Sequence, residues 1–243
     1  MENKETFQTR IKPYLPPSQQ LDVKLAYCLA KFGHRAQTRK ELTEGKPTRY
    51  FEHVRRVAII LMDEVKMFDR DMIIAALLHD SLEDCQDLTA ELLEHTFGAE
   101  VVHIVTLLSK VPKEGYIERL GHCQDWKVLL IKACDRLDNL RSLMIPSTTF
   151  EFQEKQVRET KEYYFPIFDR LVQLAPVSYY PNIVVIRDEI KRLVSKYNTI
   201  IELREKEKCV NCHGSGYGRW RNEEDYDLCL NCNGNGKAKE NII

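Results

Sequence analysis

The sequence is poor in long hydrophobic segments. It lacks the roughly 18 consecutive apolar residues that a transmembrane helix requires, and its opening residues, MENKETFQTR, contain no hydrophobic stretch typical of a signal peptide. We therefore expect neither a membrane span nor a secretory signal, and the predicted location is cytoplasmic. The net charge is only −1, so the chain has no overall attraction to nucleic acids or anionic membranes.

Alternation of polar and apolar residues with period two, which is typical of half-buried strands, is also scarce. Apolar residues recur at helical spacing instead, and the pattern predicts an all-α fold. We expect an irregular N-terminal lead-in over 1–17, a helical-bundle domain over 18–175 and a helical extension over 176–207. The polar stretch 34–48 is expected to be a loop, because it contains a glycine and a proline.

The cysteines are unevenly distributed. Four of the eight are scattered, and the other four form two C-x-x-C pairs, Cys209 with Cys212 and Cys229 with Cys232. In a chain without an export signal this spacing indicates zinc rather than disulfides. Four thiolates can close a tetrahedral structural Zn²⁺ site, so we predict a zinc knuckle over 208–243. A structural cap or a protein contact is the favoured role, and contact with a nucleic acid is the alternative.

Four polar side chains stand inside otherwise apolar helical segments: His53, His79, Asp80 and Asp135. Burying such groups is costly unless they are paired or bind a metal. Imidazole nitrogens and carboxylate oxygens together suit manganese, iron, zinc or magnesium. A lone histidine on a helix is more often structural. The ordered occurrence of His, His-Asp and Asp in separate helices nevertheless predicts one shared metal site.

Three further polar residues lie one helical turn after these candidates. Glu83 and Asp84 each follow one member of the His-Asp pair by four residues, so both carboxylates are expected on the ligand side of a helix. A carboxylate there could orient or deprotonate a water molecule that the ion activates. Asn139 follows Asp135 at the same spacing and is predicted to bind substrate.

Longer strings around these residues resemble a known family, the HD superfamily of metal-dependent phosphohydrolases. The similarity is greatest to the hydrolase domain of RelA/SpoT-type (p)ppGpp synthetase/hydrolases and to their stand-alone small alarmone hydrolase relatives. It covers roughly residues 20–175 and rests on the strings HRAQTRKELTEGKPTRYFEHVRRVA, AALLHDSLEDC, LTAELLEHTFGAEV and KACDRLDNLRSL. The resemblance implies an HD-domain helical bundle.

The resemblance also implies roles for individual residues. The family's Mn²⁺ ligands fall on His53, His79, Asp80 and Asp135. Its water-activating pair falls on Glu83 and Asp84, and its substrate-binding positions fall on Arg39, Lys40 and Asn139. The implied reaction removes the 3′-pyrophosphate from guanosine 3′,5′-bis(diphosphate), releasing GDP or GTP and pyrophosphate.

Alternatives remain open on the sequence alone. The metal site could act on another purine nucleotide or on the 2′-phosphate of NADPH. A non-catalytic interaction protein that works through its zinc knuckle is a third reading, and the C-x-x-C-x-G-x-G repeats do resemble the zinc-binding region of J-domain chaperones. Asp138 departs from the family pattern, since it stands where an aromatic residue or a histidine is commoner.

Overall fold

The structure, a computed structural model, describes residues 2–43, 46–144, 148–206, 217–222 and 225–228. It divides into two compact units, Met1–Val194 and Ser195–Ile243. The α-helices are α1 Lys4–Ile11, α2 Pro17–Gly33, α3 Phe51–Asp63, α4 Arg70–Leu78, α5 Ser81–Asp84, α6 Ala90–Phe97, α7 Ala99–Leu108, α8 Tyr116–His122, α9 Trp126–Arg141, α10 Phe150–Glu159, α11 Phe165–Leu174 and α12 Tyr180–Lys206. A π-helical turn, Thr160–Tyr164, joins α10 to α11, and the strands are β1 Thr38–Thr43, β2 Lys46–Arg49, β3 Tyr217–Asn222 and β4 Asp225–Leu228.

Helix α4 is the centre of the bundle. Every residue from Met72 to Leu78 is fully buried, because α2, α3, α7 and α9 all pack against it. Asp69 begins the helix by accepting a hydrogen bond from the Met72 backbone N–H at 2.9 Å. A helix that is apolar on all sides belongs in a core. The mostly helical fold predicted from the sequence is confirmed.

The N-terminal segment is more ordered than predicted. The expected irregular lead-in is wrong for residues 4–11, which form α1. Asn3 caps this helix by accepting from the Thr6 N–H, while the Thr6 hydroxyl accepts from the Asn3 N–H. Phe7 and Ile11, four residues apart, are fully buried where α1 packs on α2. Pro13, Pro16 and Pro17, which are typical of irregular structure, follow the helix instead of interrupting it.

The predicted loop over 34–48 is also wrong in part, because β1 and β2 form an antiparallel hairpin. Thr38 pairs with Arg49, and Thr43 pairs with Lys46. In β2 only Thr48 is buried, so the strand shows no alternation of polar and apolar residues that could reveal it. The hairpin matters for the site, because it carries Arg39 and leads directly into α3.

The second unit contains β3 and β4, which pair as an antiparallel hairpin. This hairpin lies between the two C-x-x-C pairs in the sequence. The four cysteines themselves, Cys209, Cys212, Cys229 and Cys232, lie outside the described residues, and the zinc knuckle stays a prediction. Among the helices that the structure describes, none combines the length and apolar character needed to cross a bilayer.

Candidate metal centre

Three packed helices bring the predicted ligands together. His53 lies in the first turn of α3, His79 and Asp80 follow the last residue of α4, and Asp135 lies within α9. Helix α3 packs against both α4 and α9, so residues far apart in the sequence meet at one point. All four side chains are buried, with at most 5% of each residue exposed.

The ligand atoms face one another closely. His53 Nε2 lies 3.2 Å from Asp135 Oδ1 and 3.7 Å from Asp80 Oδ2. His79 Nε2 lies 3.0 Å from Asp80 Oδ2 and 3.9 Å from Asp135 Oδ1. With about 2.1 Å between a divalent ion and each nitrogen or oxygen ligand, neighbouring ligand atoms lie about 3 Å apart. His53, His79 and Asp80 therefore offer ligand atoms close enough together to share one ion, and Asp135 Oδ1 approaches both imidazole nitrogens from beside them.

The hydrogen bonds on the far side of each imidazole fix which nitrogen faces this point. His79 Nδ1 donates to the Ala76 carbonyl oxygen at 2.8 Å, and His53 Nδ1 donates to Asp138 Oδ2 at 2.7 Å. In each neutral ring the lone pair is then on Nε2 and points at carboxylate oxygens. His79 Nε2 is also buried, and it lies 3.0 Å from Asp80 Oδ2 without the geometry of a hydrogen bond. Two lone pairs aimed at two carboxylates are favourable only with a cation between them, so the residues fit a divalent metal.

Charge inside the cluster is balanced by its own members. Burial opposes ionisation of Asp80, but His79 beside it holds the pKa of the Asp80 carboxyl well below its usual range. Without a metal, burial disfavours a charged His79, yet Asp80 and Asp135 outweigh it and raise the pKa of that imidazole, so a proton there does part of what a cation would do. The pKa of Asp135 is lowered as well, against burial, chiefly by Lys132. Both carboxylates are thus anionic and available to a cation.

Two donors that the sequence analysis did not single out hold these carboxylates in place. The Tyr50 hydroxyl donates to Asp80 Oδ2 at 2.7 Å. Lys132 Nζ donates to Asp135 Oδ2 at 2.7 Å, and this lysine is only 3% exposed. Lys132 lies three residues before Asp135 on α9, a spacing that could have revealed the pair. Tyr50 had no such local signal, because its partner is 30 residues away.

Asn139 lies where the i, i+4 spacing predicted. Its Nδ2 donates to Asp135 Oδ1 at 2.6 Å, and its Oδ1 accepts from Arg39 Nη2 at 2.7 Å. Arg39 on β1 is therefore connected to the metal candidates through Asn139. The side chain of Lys40, the other predicted basic contact, lies outside the described residues.

Glu83 and Asp84 lie on a short helix of their own, α5. The helix does not continue from His79 to these residues, because Asp80, with φ −100° and ψ 2°, separates α4 from α5. Glu83 is part-buried and accepts from Lys110 Nζ at 2.7 Å, whereas Asp84 is exposed. Burial raises the pKa of Glu83, Lys110 opposes the rise, and Asp80 adds to it. Burial and the nearby Asp80 raise the pKa of Asp84, whose backbone N–H donates to the Asp80 carbonyl oxygen at 3.1 Å. The catalytic roles of Glu83 and Asp84 stay predictions.

A cavity of about 370 Å³ opens beside the metal candidates. Its walls carry three kinds of group: the ligand candidates His53, Asp80 and Asp135, several cations, and a set of tyrosines. The lining cations are Lys110, Lys113, Lys132 and Arg136, and the tyrosines are Tyr50, Tyr116, Tyr163 and Tyr164. Cations suit phosphate groups and aromatic rings suit a base. The cavity is therefore matched in size and chemistry to a phosphorylated small molecule.

Two histidines and two aspartates gathered by packed helices define a helical domain built to bind a divalent metal. The chain matches the HD domain family over residues 26–173, within the predicted 18–175 domain. It belongs to this family, whose hydrolases use divalent metals.

Individual members of this family show which of its proteins the chain is similar to. The chain is 31% identical over 241 residues to the bifunctional (p)ppGpp synthase/hydrolase SpoT of Escherichia coli K12, an alignment that covers 87% of this chain and 33% of SpoT. It is 37% identical over 164 residues to the guanosine-3′,5′-bis(diphosphate) 3′-pyrophosphohydrolase of Aquifex aeolicus, covering 64% of this chain and 22% of the relative. The chain thus spans a third or less of the length of these curated relatives.

A solved structure agrees with these relatives. It is described as a metazoan ortholog of SpoT that hydrolyzes ppGpp and plays a role in starvation responses. The two structures match with a TM-score of 0.58 at 30% sequence identity, over 74% of this chain and 96% of that one. The resemblance to the HD and SpoT-type hydrolases found in the sequence is confirmed.

Proposed function

We propose that this chain is a manganese-dependent hydrolase that removes the 3′-pyrophosphate of ppGpp and pppGpp. The observation that carries the proposal is the cluster of four buried ligand candidates, three of which, His53, Asp80 and Asp135, line a cation- and tyrosine-lined cavity. The names of the SpoT-type relatives and of the metazoan structure support the choice of substrate.

His53, His79, Asp80 and Asp135 would hold the ion, with their Nε2 and carboxylate oxygens as ligand atoms. The ion supplies Lewis-acid chemistry: it lowers the pKa of a water molecule and offsets phosphate charge. Tyr50 and the protein's other hydrogen-bond donors keep the ligand side chains oriented, so little reorganisation is needed when the substrate arrives.

Glu83 is the proposed acceptor of the water proton. Its raised pKa brings it nearer to neutral pH, where a general base is most effective. Lys110 contacts Glu83 and also lies 3.8 Å from Asp80 Oδ1, so it can steady the base and counter negative charge on the phosphate. Asp84, which is exposed, is assigned a supporting role only.

The bonds of the reaction balance as a hydrolysis. The water oxygen forms a bond to the phosphorus attached to the ribose 3′-oxygen, and the bond between that phosphorus and the 3′-oxygen breaks. The 3′-oxygen takes up a proton, giving GDP or GTP, and pyrophosphate leaves. Lys132 and Arg136 line the cavity where phosphate charge would lie, while Arg39, Lys40 and Asn139 are the proposed nucleotide contacts.

A substrate panel tests this proposal. Purified protein with Mn²⁺ is incubated separately with ppGpp, pppGpp, GTP and NADPH, and both pyrophosphate and orthophosphate are measured. Pyrophosphate from ppGpp supports the proposal, and the Asp80→Ala variant should release none. Release of orthophosphate from NADPH without hydrolysis of ppGpp would show that NADPH, not ppGpp, is the substrate. No release from any nucleotide would favour the interaction protein instead.

We also propose that Cys209, Cys212, Cys229 and Cys232 bind one structural Zn²⁺ ion. The paired C-x-x-C spacing supports this, and the β3–β4 hairpin between the pairs would bring them toward each other. Elemental analysis of protein dialysed against Mn²⁺ should find about one zinc per chain. The Cys209→Ser and Cys229→Ser double variant should lose it, and retention of zinc by that variant would contradict the assignment.

A further inference from the structure

Asp138 is the only carboxylate that the described part of the structure places against the outer nitrogen of His53. Its Oδ2 accepts from His53 Nδ1 at 2.7 Å, and only 3% of the residue is exposed. It lies on α9, one helical turn beyond Asp135, while His53 lies on α3. The contact is therefore a tertiary one, across the same helix pair that assembles the metal candidates.

The Asp138 carboxylate also accepts hydrogen bonds from an arginine. Arg56 donates from Nε to Asp138 Oδ1 at 2.7 Å and from Nη2 to Oδ2 at 3.1 Å. Arg56 is three residues after His53 on α3, so one element presents both partners to one carboxylate. This clamp fixes the plane of the carboxylate, and the carboxylate in turn fixes the rotation of the imidazole.

We propose that Asp138 is a positioning residue for the metal centre, which orients His53 and holds it in the tautomer that leaves Nε2 free for the ion. The inference rests on the proposed metal-dependent function. A carboxylate that accepts from the outer nitrogen of a metal-binding histidine also makes the ligand nitrogen more basic. An aromatic residue or a histidine at this position could not supply an anionic acceptor.

Replacement of Asp138 by asparagine separates this role from simple packing, because the two side chains have nearly the same shape. Both oxygens of Asp138 face donors, so the amide NH₂ of the replacement would oppose either Arg56 Nε or His53 Nδ1. In the second orientation His53 becomes the acceptor at Nδ1 and its proton moves to Nε2, which blocks metal binding. We expect Asp138→Asn to weaken Mn²⁺ binding about 10- to 100-fold.

The experiment is a calorimetric titration of metal-stripped protein with Mn²⁺. Asp22→Asn is the matched control. Asp22 also accepts from an arginine, Arg70 Nε, at 2.8 Å, but it lies on α2, which carries none of the metal candidates. Its Mn²⁺ affinity should equal that of the wild type. Turnover of Asp138→Asn should recover as Mn²⁺ is raised above the new dissociation constant, because the lesion acts through the metal.

Two results would overturn the inference: wild-type Mn²⁺ affinity in a folded Asp138→Asn variant, or a loss of turnover that saturating Mn²⁺ does not restore. Circular dichroism checks that each variant is folded, and Asp138→Ser serves as the second variant if the Asp138→Asn protein does not fold. Failure of the proposed function can be distinguished from failure of this inference. Wild-type protein that binds Mn²⁺ but leaves ppGpp intact would refute the substrate and leave the affinity comparison valid.

Discussion

Lys132 and Asp135 form a buried ion pair, and its contribution to the free energy of unfolding should depend on whether the metal is bound. Replacing Lys132 by methionine keeps the length of the side chain and its packing near the Tyr116 and Tyr164 rings, but it removes the charge that faces Asp135. We expect Lys132→Met to destabilise the metal-free protein strongly and the Mn²⁺-bound protein much less. In the bound protein, the divalent ion compensates the Asp135 carboxylate.

The magnitude follows from the burial of the pair. Lys132 is 3% exposed and Asp135 5%, and removal of one partner from a buried pair costs about 3–5 kcal/mol. Asp135 still accepts a hydrogen bond from Asn139 Nδ2 at 2.6 Å. We therefore expect a loss near the lower end, about 3 kcal/mol in the free energy of unfolding without metal.

Urea unfolding followed by circular dichroism, in chelator and in saturating Mn²⁺, measures this difference. Lys127→Met on the same helix is the matched control. Lys127 pairs with Glu100, but the two side chains are 31% and 44% exposed, respectively, so this pair is not buried. It should cost less than about 1 kcal/mol in both conditions. By linkage, whatever part of the loss Mn²⁺ removes must reappear as tighter Mn²⁺ binding. A loss in Lys132→Met that is identical with and without Mn²⁺ would refute the reasoning.

Other substitutions test the remaining roles. Asp80→Ala should abolish hydrolysis and weaken Mn²⁺ binding, as measured by titration calorimetry, because it removes an anionic ligand; unchanged affinity would argue against Asp80 as a ligand. Glu83→Gln should leave Mn²⁺ bound but reduce kcat about 10²- to 10⁴-fold, the usual contribution of a general base. Full turnover in that variant would transfer the role to another group. Truncation after residue 205 should leave measurable ppGpp hydrolysis, and complete loss in a folded product would place the C-terminal cysteines in the catalytic unit.

Much of the fold was visible in the sequence because it depends on local pattern. The apolar run over Ile73–Leu78 is typical of a helix buried on all sides, and the structure places α4 at the centre of the bundle. The β1–β2 hairpin was missed, because its strands are polar and its pairing is not encoded by alternation. Helix α1 was missed because its signals are short, an Asn3 cap and the Phe7–Ile11 spacing, and prolines follow it closely.

The site shows the same division. The i, i+4 relation between Asp135 and Asn139 is a property of one helix, so it could be predicted and the structure contains it. The relation between His79 and Glu83 assumed one continuous helix, but Asp80, with its non-helical ψ, separates α4 from α5. The relation between Asp80 and Asp84 is kept, since the Asp84 N–H donates to the Asp80 carbonyl oxygen at 3.1 Å.

The sequence by itself determined which side chains are candidate ligands, because a histidine or an aspartate inside an apolar helical segment stands out locally. It also determined the family, through strings that surround those ligands. Only the tertiary structure decided how each ligand is held: Tyr50 on Asp80, Lys132 on Asp135 and Asp138 on His53. Two of these three contacts join separate elements, and a hydrogen bond between distant residues depends on how helices pack, which no local pattern records.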